Sequence, residues 1–451
     1  MVQNVKHPIV RDEEMKGRIQ DVVFNLAKKL NNPEEVERKV MAKDNKTLIG
    51  KVNPWGPLSL SHGFPGTIMF FGELDDLFPN QGWDEIAHKH IVYLTQYLQM
   101  GVHSISLFGG VTGLALSILN VSKNGERYQN LLFNLDTFIK REAENMLKLE
   151  NERLEEQKGV TPAFYDVIQG GTGIGRYLLE RAPQNPELYA PLKQFLKLFT
   201  YYQLEKDRNP LLGWHVIRED QFLEKDKVKY PEGNVNFGLA HGVLGPMNLL
   251  TLAASEGVEV PLQKETIESM SEDLFRVMRY DSDNHPVWPH RLAYKEMLSN
   301  DFVIQDTRNG WCYGNPGVAR SLYLAGEVLG NQRYKQVAMN GFKGIVSQPN
   351  DDLVSASFCH GKSGLLQCLV RMRSETGEGW LDEQIWSLTD SILGQYDKEN
   401  PLGFYDIEEF GGQGNTITKA GLLEGSSGTG LSLMGLLGNG TPRWDKAFLL
   451  S

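Results

Sequence analysis

Apolar positions along this chain follow two patterns. One is a stripe: Tyr128 to Leu149 and Leu262 to Met278 place apolar residues three and four apart, the period of a helix with one buried face. The other is nearly continuous: Leu114-Ala115-Leu116-Ser117-Ile118-Leu119 and Leu431-Ser432-Leu433-Met434 read as helices buried all round. The continuous runs follow a shared signal, Gly-x-x-Gly, which recurs seven times. It stands at His62-Gly63-Phe64-Pro65-Gly66, Gly109-Gly110-Val111-Thr112-Gly113, Gln169-Gly170-Gly171-Thr172-Gly173 and His241-Gly242-Val243-Leu244-Gly245. The last three are Tyr313-Gly314-Asn315-Pro316-Gly317, His360-Gly361-Lys362-Ser363-Gly364 and Glu424-Gly425-Ser426-Ser427-Gly428.

The steps between first glycines are 47, 60, 72, 72, 47 and 64 residues. A step of 47 holds two helices and two connections at about 1.5 Å rise per residue. Each repeat therefore pairs an amphipathic outer helix with a glycine-led inner one. Seven pairs predict an all-α (α/α)7 toroid of about fourteen helices, a single domain over residues 1–451. Glycine is expected where a loop becomes a helix and inner helices crowd one axis, because backbones can approach closely only without side chains. The extra residues of the two 72-residue steps fall in Glu205 to Asn236 and Arg279 to Asn309. Both stretches are polar, rich in Pro and Trp and not helix-periodic, and predict short strands or a small inserted α+β module.

With 41% hydrophobic and 23% charged residues, the chain is an ordinary globular protein, which excludes disorder and fibrous repeats. A net charge of −11 argues against nucleic acid and against docking on anionic lipid by charge alone. Three cysteines in 451 residues make no disulfide framework and fit a reducing compartment. The first thirty residues carry charge throughout and no signal peptide. Gly101 to Ser122 lacks Asp, Glu, Lys and Arg, but its four glycines, its hydroxyls and His103 read as buried core, not a membrane span. The expectation is a cytoplasmic protein with no transmembrane segment.

Aligning the repeats exposes the chemistry. Just before the first glycine stand His62, Gly109, Gln169, His241, Tyr313, His360 and Glu424, a polar column at one end of apolar helices. One place earlier stand Ser61, Phe108, Ile168, Ala240, Cys312, Cys359 and Leu423. Two cysteines thus share a slot in consecutive repeats, and a ring would bring Cys312, Cys359 and His360 to one mouth. Two thiolates and an imidazole suit Zn2+ with a fourth position open. Such zinc is formally neutral, so an incoming thiol is acidified while its sulfur stays nucleophilic. His241 is the candidate proton donor and acceptor, Asp166 its orienting partner, Arg308 a stabiliser of charge on a carbonyl oxygen, and Tyr313 a hydrogen-bond donor. Cys368 reads as helix core, His62 as a capping or supporting residue, His285 and His290 as loop residues, and His88 and His90 as a solvated helix face.

The segment Gly310-Trp311-Cys312-Tyr313-Gly314-Asn315-Pro316-Gly317, with Ser357-Phe358-Cys359-His360-Gly361 47 residues on, resembles the lanthionine synthetase C family of lantibiotic cyclases. Ala240-His241-Gly242 and Tyr165-Asp166 are similar to its other landmarks, and the likeness runs nearly the whole chain. Free-standing length points to the class I branch. The resemblance implies an α-toroid with zinc on Cys312, Cys359 and His360, and thioether rings made by Michael-type addition of a peptide cysteine to dehydroalanine or dehydrobutyrine. It implies that His241 with Asp166 handles the thiol and enolate protons, aided by Arg308 and Tyr313, and that a small SH2-like insertion occurs in some members. Implied partners are a leader-bearing dehydrated precursor peptide, a dehydratase and an ABC exporter, hence peripheral association with a membrane complex. Rival readings are a zinc-dependent thiol alkyltransferase, prenyltransferase-like or glutathione-using, and a non-enzymatic zinc scaffold. The prenyltransferase would want an aspartate ligand and the scaffold a fourth one.

Overall fold

The computed structural model describes residues 9, 12–102, 104–205, 213–304, 308–410, 412–438 and 440–451; His103 lies outside them. Fourteen helices of eleven residues or more lie among the described residues. They are α1 (Glu13–Leu30), α2 (Phe64–Leu77), α3 (Trp83–Gln99), α4 (Val111–Val121), α5 (Gln129–Glu155), α6 (Gly171–Arg181) and α7 (Tyr189–Glu205). Then come α8 (Leu244–Ser255), α9 (Gln263–Val277), α10 (Asn315–Leu329), α11 (Gln332–Ser347), α12 (Lys362–Thr376), α13 (Asp382–Gly394) and α14 (Ser426–Leu437).

Every even-numbered helix opens at one of the seven repeats. Gly63, Gly110, Gly170, Gly314, Gly361 and Gly425 immediately precede α2, α4, α6, α10, α12 and α14, and Gly242 lies one residue further from α8. Space, not backbone handedness, demands glycine at most of these positions. A Cβ on Gly63 would lie 2.0 Å from the Gly56 carbonyl oxygen, and one on Gly361 2.4 Å from that of Ser355. Gly314 alone of the seven also has positive φ, +140°, and a Cβ there would sit 1.8 Å from the Arg308 carbonyl oxygen.

Burial separates the two helix sets as the apolar patterns require. Ten of the 11 residues of α4 and eleven of the 12 of α14 are buried, against four of 17 in α3. The odd helices have solvent on one side, and two of them use polar caps: Asp12 accepts from the Glu14 N–H at the start of α1, and Asn331 accepts from two N–H groups at the start of α11. The striped segments expected at 128–149 and 262–278 are α5 and α9.

The chain divides into two compact units. The first comprises residues 1–104, 108–133 and 351–445. Within it α12, α14, α2 and α4 lie side by side in that order. Helix α3 backs α2, α13 backs α12, and α14 packs against α1 from the opposite end of the sequence. The second unit comprises residues 105–107, 134–350 and 446–451. There α6, α8 and α10 are neighbours in chain order, backed by α7, α9 and α11. Each wholly buried Leu or Phe along these seams contributes about 1.5–3 kcal/mol.

The two long steps do hold short strands. In them β1 (Asn234–Asn236) pairs antiparallel with β4 (Arg291–Ala293), and β2 (Arg279–Tyr280) with β3 (Pro286–Val287). Strands from separate insertions therefore meet, with Asn236 opposite Arg291. A third strand pair, the hairpin of β5 (Tyr405–Phe410) with β6 (Gln413–Thr418), precedes α14 and was not foreseen. No helix of the described residues is long and apolar enough to cross a membrane.

His88 is exposed as expected, but the solvated reading of His90 is corrected: it is fully buried. Its Nε2–H donates to the Leu30 carbonyl at 3.0 Å, and Nδ1 lies 2.9 Å from Thr67 Oγ1. Burial pushes its pKa down to about 4. Between that value and about 6.5 the unfolded chain binds a proton that the folded chain does not, so folding weakens as pH falls through this window. The wild type should accordingly lose on the order of 3 kcal/mol relative to His90→Gln between pH 7 and pH 4. Urea midpoints across that range test this, and a pH-independent gap would refute it.

Candidate functional site

The aligned slot of the repeats is a line of backbone hydrogen bonds. In the first unit the Cys359 N–H donates to Leu423 O (2.8 Å), Leu423 N–H to Ser61 O (3.3 Å), and Ser61 N–H to Phe108 O (3.0 Å). In the second, the Leu239 and Ala240 N–H groups donate to Cys312 O (2.9 and 3.3 Å), and Val167 N–H to Ala240 O (3.0 Å). Loop bonded to loop at one register sets the following residues, the polar column, side by side within each unit.

In the second unit this yields a carboxylate–imidazole pair. Asp166, wholly buried at the turn into α6, accepts from the Gln169 and Gly170 N–H groups through Oδ1 (2.6 and 2.9 Å). Its Oδ2 accepts from His241 Nδ1–H at 2.6 Å. With Nδ1 so engaged, the other ring nitrogen, Nε2, is the one available for proton transfer, and the side chain is partly exposed. The Tyr165 hydroxyl donates to the His241 carbonyl (3.1 Å), and the ring of Phe222, from the first insertion, lies edge-on 5.7 Å away.

Tyr313 is the next member, its ring 6.5 Å from that of His241. Its hydroxyl oxygen accepts from Asn236 Nδ2 and from Arg291 Nη2, each at 2.9 Å. Burial pushes the phenol pKa up and the Arg291 charge offsets part of that, so the phenol is protonated at neutral pH. Of the residues expected here, Asp166, His241 and Tyr313 are together. Arg308 is half-buried; its N–H donates to His290 Nε2 (3.3 Å) and its carbonyl accepts from Asn315 N–H (3.2 Å). The guanidinium on Tyr313 is that of Arg291, a residue that sequence reasoning passed over because it sits in an insertion outside the aligned repeats. Cys312 is buried in this unit, and the indole N–H of adjacent Trp311 donates to Phe448 O at 3.1 Å.

The first unit holds a metal-competent cluster. Ligand atoms of Cys359, His360 and Glu424 lie within 4.8 Å of one another. Lys419, almost wholly buried, donates to Glu424 (2.7 Å), to Asp406 (2.8 Å) and to Glu408 (3.0 Å). Burial would lower the Lys419 pKa, but these carboxylates, Glu424 first, drive it well above the ordinary lysine value. Burial likewise would raise the Glu424 pKa, yet Lys419, His62 and His360 hold the carboxyl below its usual range. Three carboxylates against one ammonium leave the cluster anionic, and thiol, imidazole and carboxylate together are donors that zinc accepts. His62 borders the cluster, with Nδ1 buried and without a hydrogen-bond partner among the described residues. Glu424 was legible in the polar column; Asp406 and Lys419, supplied by the unforeseen hairpin and the residue after it, were not. Cys368 is buried in α12, as expected.

A family model described as lanthionine synthetase C-like protein matches residues 54–449. The nisin biosynthesis protein NisC of Lactococcus lactis subsp. lactis is 29% identical over 391 residues, spanning 84% of this chain and 90% of that protein. A solved structure of nisin cyclase superposes with a TM-score of 0.75 at 24% identity, covering 97% of this chain and 98% of the other. The all-α, helix-pair fold expected from the repeats is thus shared over nearly the whole length.

Proposed function

This chain belongs to the lanthionine synthetase C-like family, and on that footing we propose that it is a lanthionine-forming peptide cyclase. Its substrate is a dehydrated, leader-bearing precursor peptide, as the likeness to a nisin biosynthesis protein supports. In the reaction a cysteine sulfur bonds to the β-carbon of dehydroalanine or dehydrobutyrine. The double-bond electrons move toward the carbonyl oxygen, the thiol gives up its proton, and the α-carbon gains one. Atoms are conserved, so ring closure is an isomerisation.

The bond between buried Asp166 and partly exposed His241 is the observation that carries this reading. Asp166 fixes the tautomer, and His241 Nε2 takes the thiol proton and returns one to the α-carbon. Tyr313 supplies a hydrogen bond where negative charge develops. Zn2+ fits the donors of the first unit: Cys359 and His360 are its proposed ligands, Glu424 stands beside them, and Cys312 is proposed as the third ligand from the aligned repeats and the resemblance in sequence. When bound, zinc would lower the pKa of a substrate thiol. The chemistry also requires an earlier enzyme that dehydrates serine or threonine. A dehydratase and an ABC exporter in a cytoplasmic, membrane-peripheral assembly complete the proposal.

The test is a count of alkylatable thiols on a dehydrated, cysteine-containing precursor before and after incubation with the protein. Thiols should disappear at constant peptide mass. Added mass would indicate alkyl transfer, and unchanged thiols with zinc bound would overturn the cyclase reading.

A further inference from the structure

The paired insertions end at one phenol. Asn236 closes β1, Arg291 opens β4, and the two oppose each other in the antiparallel pair. Both donate to the Tyr313 oxygen at 2.9 Å. Neither donor is free to turn. Asn236 Oδ1 accepts from the Gly238 N–H at 2.9 Å, which dictates that its NH2 end faces the phenol. Arg291 Nη1 is held by Asp226 Oδ2 at 2.6 Å, and its guanidinium lies 5.3 Å from the centre of the Tyr313 ring. Gly238 makes room for that ring, since a Cβ there would come within 2.5 Å of it.

A phenol oxygen accepts through its lone pairs and carries one hydrogen. With two donors already placed on Tyr313, its own O–H is left to donate, away from Asn236 and Arg291. The neighbouring guanidinium also stabilises negative charge drawn onto the phenol oxygen, which strengthens it as a donor.

We infer that Asn236 and Arg291 are positioning residues that make Tyr313 a dedicated hydrogen-bond donor to the carbonyl oxygen of the dehydrated residue under attack. The inference rests on the cyclase reading above. In the addition the sulfur–carbon bond forms and the π pair moves to that oxygen. The phenol keeps its proton while hydrogen-bonding to the oxygen, and the proton for the α-carbon comes from His241. The insertions thereby complete the site instead of merely decorating the fold.

The test uses the full chain and a synthetic peptide with one dehydroalanine and one cysteine. Tyr313→Phe should lower kcat about 100-fold. Asn236→Asp, equal in size, replaces the donor with an acceptor that recaptures the phenol hydrogen, and should lower kcat at least about 10-fold with KM nearly unchanged. Combined with Tyr313→Phe it should cost nothing further. Arg291→Gln, which removes the charge, should show the same full coupling. A readout independent of turnover is the ζ-13C resonance of Tyr313 in tyrosine-labelled protein, assigned by its loss in Tyr313→Phe. It should move downfield in Asn236→Asp as the phenol turns from accepting to donating. Additive losses in the double variants, or an unmoved resonance, would overturn the inference. A wild type that closes no ring would sink the cyclase reading instead, while the resonance would still decide whether the brace exists.

Discussion

Asp166→Asn should lower the rate of ring closure about 10³- to 10⁴-fold while the bound metal is unchanged. The two backbone N–H groups on Asp166 Oδ1 require an acceptor. An asparagine must therefore give them its oxygen and turn its NH2 toward His241. That forces Nδ1 to accept and places the ring hydrogen on Nε2, the tautomer that cannot take a thiol proton. His241→Ala should lose about as much, because both changes remove one proton-transfer unit and their effects should not add. The rate of thiol loss at constant mass, alongside metal content by atomic absorption, measures this. Activity within threefold of wild type in Asp166→Asn would remove the pair from the mechanism.

Cys359→Ala should reduce bound zinc to under about a tenth per chain and abolish ring closure, since a lost thiolate is among the strongest of zinc's donors. The loop should survive, because the backbone bond from the Cys359 N–H to Leu423 O, which holds it in register, does not depend on the side chain. Glu424→Gln keeps the shape but removes a charge beside His360 and Lys419, and should weaken zinc binding about 10- to 100-fold. Cys368→Ala, within α12, is the control and should bind zinc normally. Full zinc in purified Cys359→Ala would overturn the ligand assignment.

Neighbouring residues differ in how far their chemistry could be read in advance. His241 and Tyr313 each stand directly before a repeat glycine, so alignment alone placed them in the column. Glu424 stands there too, yet its contact with Lys419 and its nearness to Cys359 and His360 appear only in the structure. Asn236 and Arg291 lie 55 residues apart in stretches with no repeat, and nothing local marks them. His90 is the instructive miss: in α3 it has the polar identity of a solvated face but lies on the buried stripe, where Thr67 and Leu30 satisfy it.

What the sequence determined by itself was whatever is local or periodic. The seven helix starts follow from glycine, at most of them where no Cβ fits, the helix pairs from two burial patterns, and the polar column from one register repeated. Only the tertiary structure decided the side-chain partnerships. A hydrogen bond such as Arg291 to Tyr313, or the ion pairs of Lys419 with Asp406 and Glu424, depends on where distant segments are carried. Charge and donor geometry act over a few ångströms of space, whatever the separation along the chain.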